Sequence, residues 1–162
     1  MLLPKEIITS KNIVSETIGE CQFQPCGVDL TLKEVRKLTS AGKIDFDNSE
    51  REISETEAIP FENGELHLPA GNYQIIYNEY VTIPADCAGL GYTRSSLLRC
   101  GAYMGCAVWD PGYHGRSESL LIVNSQHGIT LHKNAKVMQL VFVRLEGAAH
   151  AGYSGQYKGE NR

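Results

Sequence analysis

The sequence has no long hydrophobic run, which excludes the simplest membrane architecture. No apolar stretch in its 162 residues approaches the roughly 20 that a helix needs to cross a bilayer. Positive charge is not in excess either, because 15 Lys and Arg residues face 19 Asp and Glu residues, for a net charge of −4. Nucleic-acid-binding proteins are usually basic. We therefore expect neither a membrane nor a nucleic acid as a partner of this chain.

A disulfide framework is also missing. The cysteines are odd in number and scattered, and the first residues, Met1–Glu6, lack the form of a signal peptide. We interpret the cysteines as reduced, mostly buried thiols and expect a cytoplasmic protein. They are Cys21, Cys26, Cys87, Cys100 and Cys106.

Short β-branched or aromatic runs dominate the sequence from residue 64 onward, and Gly, Pro, Asn and Asp separate them. This pattern is typical of a β-sandwich or barrel. Residues 4–18 and 95–99 predict short helices, 43–57 predict a solvated acidic loop, and 151–162 predict a mobile tail after one domain at 1–150. The predicted strands are Leu66–Leu68, Tyr73–Tyr77, Tyr80–Ile83, Gly89–Tyr92, Ala107–Trp109, Leu120–Val123, Ile129–Leu131 and Val137–Leu145.

Residues 94–99, Arg-Ser-Ser-Leu-Leu-Arg, concentrate groups that bind phosphate. The guanidinium groups of Arg94 and Arg99 can grip phosphate oxygens in a bidentate manner, and the hydroxyls of Ser95 and Ser96 add neutral donors. We call these four residues the clamp. The alternative interpretation is a solvated helix in which one serine serves as the N-cap.

Asp110-Pro111-Gly112-Tyr113 follows the clamp and predicts a tight turn. A carboxylate in this position is either a purely structural turn residue or a group that orients a water molecule for in-line attack on phosphorus. Tyr113 can pack its ring against a sugar and so penalise a 2′-hydroxyl. We therefore predict an enzyme that acts on a nucleoside triphosphate.

Three isolated polar residues in strand-like stretches each have two interpretations. Asp29 either hydrogen-bonds turn amides or helps to hold Mg²⁺ through water. Gln139 contacts either a triphosphate oxygen or the backbone. Glu118 is either a charge at a sheet edge or a second catalytic carboxylate.

These segments, taken in order, resemble the dUTPase/dCTP deaminase superfamily, and they look most like its archaeal dUTPase members. The matching segments span residues 24–160 and are Gln24–Leu30, Arg94–Gly101, Asp110–Gly115, Gln139-Leu140 and Gln156–Glu160.

The resemblance implies a distorted β-barrel or jelly roll that forms a homotrimer with active sites shared between subunits. It also implies hydrolysis of dUTP to dUMP and pyrophosphate with Mg²⁺ on the triphosphate, which keeps uracil out of DNA and supplies dUMP for dTMP synthesis. By position, the clamp and Gln139 would serve the phosphates, Asp110 would orient the attacking water or contact the 3′-hydroxyl, and Tyr113 would stack on the sugar. Tyr153, Lys158 and Glu160 would belong to a tail that closes over the nucleotide.

One position helps to distinguish a deaminase from a dUTPase within this superfamily. Deaminases of this superfamily carry a glutamate ten residues after the aspartate of the turn, and here that position is Leu120. Cytosine deamination needs a group that activates water and moves protons, which leucine cannot do. An irregularity near Arg116–Ser119 would bring Glu118 into the site instead. A dCTP deaminase, a bifunctional enzyme and a catalytically silent nucleotide-binding trimer therefore remain as alternatives to the dUTPase.

Overall fold

The computed structural model describes all 162 residues and is built mainly from β-strands. Two short helices and one turn of 3-10 helix at Glu20–Gln22 complete it. The helices are α1 (Lys5–Ser10) and α2 (Ser95–Arg99). The strands are β1 (Val14–Ser15), β2 (Phe23–Gln24), β3 (Gly27–Leu38), β4 (Thr56–Ile59), β5 (Glu65–Leu68), β6 (Gly71–Tyr77), β7 (Tyr80–Thr82), β8 (Cys87–Thr93), β9 (Ala102–Gly105), β10 (His114–Gly115), β11 (Glu118–Val123), β12 (Ile129–His132) and β13 (Lys136–Arg144).

The largest sheet curls into a nearly closed barrel. Its main path runs in the order β8-β13-β3-β6-β11-β9, with every neighbouring pair antiparallel. The two end strands approach each other, because the backbone N–H of Met104 in β9 donates to the Thr93 hydroxyl of β8 at 2.9 Å. Two smaller sheets, β1-β7-β10 and β12-β5, complete the architecture. The predicted fold class of a β-barrel with a few short helices is therefore confirmed.

Strand β3 is the longest strand and organises the barrel interior. Val28, Leu30 and Leu32 alternate along it and are fully buried in the apolar core. Alternation with a period of two is what places one set of side chains on the inner face of a sheet. No helix in the structure has both the length and the apolar character that crossing a membrane requires.

The predicted strands agree with the structure except between residues 101 and 109. Ala107–Trp109 is not a strand; only Trp109 forms an isolated bridge, with Gly89. The strand lies earlier, at Ala102–Gly105, because Gly101 adopts a φ of 74° and turns the chain directly after α2. The acidic segment 43–57 is largely an exposed loop, as predicted, with one bridge between Lys43 and Glu52 before β4 begins.

Glu79 is a carboxylate buried beside β3. Its side chain is fully inaccessible to solvent and accepts hydrogen bonds from Gln22 Nε2 at 2.7 Å, the Thr31 N–H at 2.8 Å and the Thr31 hydroxyl at 2.5 Å. Burial raises the pKa of the Glu79 carboxyl, while these hydrogen bonds oppose the rise. The carboxylate therefore links the 3-10 helix, β3 and the start of β7.

Glu79→Ala is expected to destabilise the fold by about 3–5 kcal/mol, because it leaves buried donors on Gln22 and Thr31 without an acceptor. Urea unfolding measures the change. Glu79→Gln is the matched control, since it keeps one acceptor oxygen and most of the volume, and it should cost less. Equal stability of the alanine variant and the parent would contradict this role.

Candidate active site

Asp110 begins a tight turn that the local sequence specifies. Tyr113 N–H donates to the Asp110 carbonyl at 3.0 Å, and Gly112 adopts a φ of 82°. Proline followed by a residue with positive φ is typical of a type II turn, in which glycine is favoured at the third position. A side chain at Gly112 would also meet Gly152, whose Cα lies 3.0 Å from the ideal Cβ position. The turn is anchored on its N-terminal side by buried Trp109, whose Nε1–H donates to Ser117 Oγ at 2.9 Å.

A cavity of about 530 Å³ lies next to this turn, on the outer face of the barrel. Side chains from adjacent strands form one wall: Gln74 of β6 and both Glu118 and Leu120 of β11. Asp110 and Tyr113 border the cavity from the turn. The volume falls in the range of small-molecule sites, and the mixed apolar and polar lining is typical of them.

Tyr113 is almost fully buried because the tail, residues 151–162, packs over it. Its hydroxyl donates to Glu160 Oε1 at 2.8 Å, and the ring of Tyr153 meets its ring edge-on at 5.8 Å between centroids. Burial raises the pKa of the Tyr113 hydroxyl and also that of the Glu160 carboxyl. The tail therefore docks on the turn of its own chain and supplies Tyr153, Tyr157 and Glu160 to the cavity.

Glu118 and Leu120 both line the cavity, so the position that carries glutamate in deaminases is occupied here by an apolar side chain. The ladder between β11 and β6 is regular from Glu118 to Val123. The predicted irregularity lies just before this ladder. Residues 116–117 belong to no strand, and there the chain passes from β10 in the small sheet to β11 in the barrel. Glu118 thus faces the cavity without displacing Leu120 from it.

The clamp lies around α2. Ser95, Ser96 and Arg99 are exposed there, and no side chain caps the start of the helix, so the interpretation of a serine as N-cap is wrong. Asp29 on β3 is buried and pairs with Arg94, with 3.2 Å between Oδ1 and Nε. Lys136 lies on the other side of Asp29, with 3.6 Å between Nζ and Oδ2. The carboxylate of Asp29 therefore orients Arg94, and its role in holding magnesium stays a prediction.

Within one chain the clamp does not border the cavity. Gly89 of β8 is bridged to Trp109, next to Asp110. Arg94 follows Gly89 by five residues along the same extended strand, which corresponds to about 16 Å at the rise of a β-strand. Gln139 belongs to the clamp side, since in β13 it lies opposite Asp29 on one side and Tyr92 on the other.

The predicted site residues therefore form two groups in a single subunit. The cavity group is Asp110, Tyr113, Glu118, Tyr153 and Glu160. The clamp group is Asp29, Arg94, Ser95, Ser96, Arg99 and Gln139. Lys158 lies on the exposed side of the tail and joins neither group.

Sequence reasoning missed Gln74, which lines the cavity, and two residues that contact Glu118. The position of Gln74 could have been predicted, because side chains alternate along Tyr73–Tyr77 and Gln74 therefore lies on the face opposite to Tyr73 and Ile75. Nothing in the sequence indicated Asn161 or Arg36, since each approaches the cavity group only through a tertiary contact with Glu118.

No group of three or more His, Cys, Asp or Glu side chains is placed to hold a metal ion. Magnesium in nucleotide enzymes is usually held by substrate phosphates, waters and only one or two carboxylates. The side chains therefore do not form a metal site of their own, and Asp29 stays the predicted carboxylate for a magnesium ion held through water.

A model of the dCTP deaminase-like family matches residues 4–145. The chain therefore belongs to the dCTP deaminase-like family. In structure, it is similar to the 2'-deoxycytidine 5'-triphosphate deaminase of Agrobacterium tumefaciens, with a TM-score of 0.65 and 15% identity over 87% of this chain and 47% of that one. That likeness shows the fold.

Closer relatives in sequence are archaeal. A probable deoxyuridine 5'-triphosphate nucleotidohydrolase of Methanosarcina acetivorans is 49% identical over 88% of this chain and 84% of its own. The deoxyuridine 5'-triphosphate nucleotidohydrolase of Methanocaldococcus jannaschii is 40% identical over 93% of this chain and 96% of its own.

Proposed function

We propose that this chain is a dUTP diphosphatase, which hydrolyses dUTP to dUMP and pyrophosphate. The observation that carries the choice of hydrolase is Leu120 in the wall of the cavity beside Asp110. The cavity offers a carboxylate that can orient water, but at the deaminase position it offers no group that can protonate a leaving amine. The names of the archaeal relatives point to the same reaction.

In the proposed reaction, Asp110 orients a water molecule toward the α-phosphorus of dUTP. The water oxygen forms a bond to the α-phosphorus while the bond from that phosphorus to the α–β bridging oxygen breaks, and pyrophosphate leaves. The proton from the water passes to the Asp110 carboxylate and then to solvent. Phosphoryl transfer depends mainly on positioning and charge neutralisation, which the clamp would supply through Arg94, Ser95, Ser96 and Arg99.

Magnesium on the triphosphate would neutralise part of its charge, and Asp29 is the residue proposed to reach it through a water molecule. Gln139 would support the phosphate site from the neighbouring strand. Tyr113 would stack on the deoxyribose, and Tyr153, Lys158 and Glu160 would cover the bound nucleotide from the tail.

The separation of clamp and cavity supports a homotrimer in which one subunit's clamp serves its neighbour's cavity. Large apolar side chains are exposed around the clamp, which suits burial against another subunit. They are Tyr92, Leu98 and Tyr103. Light scattering coupled to size-exclusion chromatography should give three times the chain mass of 17.9 kDa, and a monomer that retains full activity would contradict the shared site.

Incubation with dUTP and dCTP tests the proposed reaction. We expect dUMP and pyrophosphate from dUTP and no ammonia from dCTP. The alternative of a dCTP deaminase or a bifunctional enzyme is suggested by the description of the matching family. Release of ammonia from dCTP at a rate comparable to dUTP hydrolysis would establish that alternative.

Tyr113→Ala is expected to relax discrimination against UTP by about tenfold or more, because loss of a ring that excludes the 2′-hydroxyl is worth a few kcal/mol at most. The ratio of kcat/KM for dUTP and UTP measures the effect. Tyr113→Phe is the control, since it keeps the ring and removes only the hydrogen bond to Glu160, and its selectivity should match the parent. Unchanged selectivity of the alanine variant would exclude stacking on the sugar.

A further inference from the structure

Glu118 faces the cavity, but partners from its own chain already occupy its carboxylate. Oε1 accepts a hydrogen bond from Asn161 Nδ2 at 2.9 Å, and Oε2 accepts one from Gln74 Nε2. The Arg36 guanidinium lies 3.9 Å from Oε1, and its closer ion pair is with Glu34. A general base must be free to turn an oxygen lone pair toward the water that it activates. Each Glu118 oxygen already accepts a hydrogen bond from a partner in the chain, and these bonds hold the carboxylate toward Gln74 and Asn161.

Asn161 belongs to the tail, so the bond to Glu118 joins the tail to the barrel wall. The Asn161 amide also donates to the Arg116 carbonyl at 3.0 Å. The adjacent backbone continues this attachment, with Gly159 N–H donating to the His114 carbonyl at 2.7 Å and Arg116 N–H donating to the Glu160 carbonyl at 3.2 Å.

Gly115 permits this close approach of the tail. Its φ is 153°, and a Cβ there would lie 3.2 Å from the Glu160 nitrogen and 2.9 Å from the Tyr113 hydroxyl oxygen. The chain thus presents a bare backbone where the tail crosses it. The attachment of the tail ends at Glu118, the first residue of β11, whose carboxylate accepts the hydrogen bond from Asn161.

We propose that Glu118 is a positioning residue that holds the tail over the cavity of its own subunit through Asn161, and that it is not a second catalytic carboxylate. The inference rests on the proposed function for the identity of the nucleotide, whereas the contact between Glu118 and Asn161 is independent of it. Holding the tail in place keeps Tyr153 and Glu160 in the wall of the cavity beside Tyr113, where they can cover a bound nucleotide. Loss of the contact should therefore weaken nucleotide binding and leave the chemical step unchanged.

The surroundings of Glu118 allow its charge to be removed without loss of the contact. Gln74 Oε1 is buried and has no hydrogen-bond partner. In Glu118→Gln, the new amide can donate to this oxygen once the Gln74 amide turns over, while the remaining oxygen still accepts from Asn161. Alanine at this position removes the contact entirely.

The test compares Glu118→Gln, Glu118→Ala and Asn161→Asp. Asn161 has a φ of 51°, a conformation that aspartate also tolerates, so the third variant replaces only the donor with a carboxylate that repels Glu118. Hydrogen exchange of residues 157–162 in the nucleotide-free protein reports tail docking, and steady-state kinetics with dUTP separate KM from kcat. Melting temperatures verify that each variant is folded.

In Glu118→Ala and Asn161→Asp we expect faster hydrogen exchange of the tail and a KM raised about tenfold, with kcat retained. A tenfold change is the effect expected from the loss of one charge-assisted hydrogen bond. Glu118→Gln should match the parent in both readouts. The double variant Glu118→Gln/Asn161→Asp exchanges donor and acceptor at this contact. It should recover part of the protection lost in Asn161→Asp, since the bond to the Arg116 carbonyl stays broken.

Two results would overturn the proposal. Tail exchange at the parent rate in both Glu118→Ala and Asn161→Asp would show that the contact does not hold the tail. A loss of kcat in Glu118→Gln as large as that in Asp110→Asn, with tail exchange unchanged, would make Glu118 catalytic. If instead no variant and no parent protein hydrolysed dUTP, the proposed function would fail, and the exchange data would still decide the role of Glu118.

Discussion

Asp110→Asn is expected to lower kcat for dUTP hydrolysis about a thousandfold, in the middle of the range that a positioned acid–base group contributes. Asparagine has nearly the same shape and is equally suited to the first position of a turn, so the fold should persist. It lacks the negative charge that draws a proton from the attacking water. Binding of a non-hydrolysable dUTP analogue, measured by calorimetry, should remain close to that of the parent.

The same variant distinguishes the two roles considered for Asp110. If the carboxylate orients water, the loss falls on kcat. If it contacts the 3′-hydroxyl of the sugar, the loss falls mainly on KM and on analogue binding, since amide and carboxylate oxygens both accept a hydrogen bond but with different strength. A variant with the parent's kcat, KM and analogue binding would exclude both.

Arg99→Ala is expected to lower kcat/KM for dUTP about a hundredfold, because it removes charge-assisted hydrogen bonds to phosphate. Arg99 is exposed, and its guanidinium makes one hydrogen bond within the chain, from Nη1 to the Ser95 carbonyl at 3.0 Å. The side chain is therefore free to serve a ligand, and its loss should leave the melting temperature nearly unchanged.

Arg99→Lys is the matched control. Lysine keeps the positive charge but cannot bind two phosphate oxygens with a planar fork. It should recover part of the lost kcat/KM, and full recovery would show that charge alone is needed. Parent kinetics in Arg99→Ala would remove the arginine from the phosphate site.

Most strands of the C-terminal half were predictable because they are short apolar or aromatic runs bounded by turn residues, whereas β9 was not predicted. The full length of β3 was not predictable, since its second half, through Lys33, Glu34 and Lys37, reads as a charged and solvated stretch. Pairing with β4 and β6 extends the strand over this stretch. Tertiary pairing here overrides the local preference of the sequence.

The residues of the site could be predicted only in part, because tertiary contacts bring some of them together. The turn at Asp110 has a local signature, and the structure contains it. The partners of Glu118 come from β3, β6 and the tail, which no spacing in the sequence brings together. Buried Glu79 was missed because a single acid between Asn78 and Tyr80 looks like an ordinary turn residue.

In the proposed trimer, one subunit's clamp works with another subunit's Asp110. Mixing Asp110→Asn and Arg99→Ala subunits after joint refolding tests it most directly. In a closed ring with head-to-tail interfaces, about a quarter of the sites then pair an intact clamp with an intact Asp110 turn. We predict that the mixture recovers about this fraction of parent activity, far above either variant alone. A mixture no more active than the sum of the separate variants would contradict the shared site.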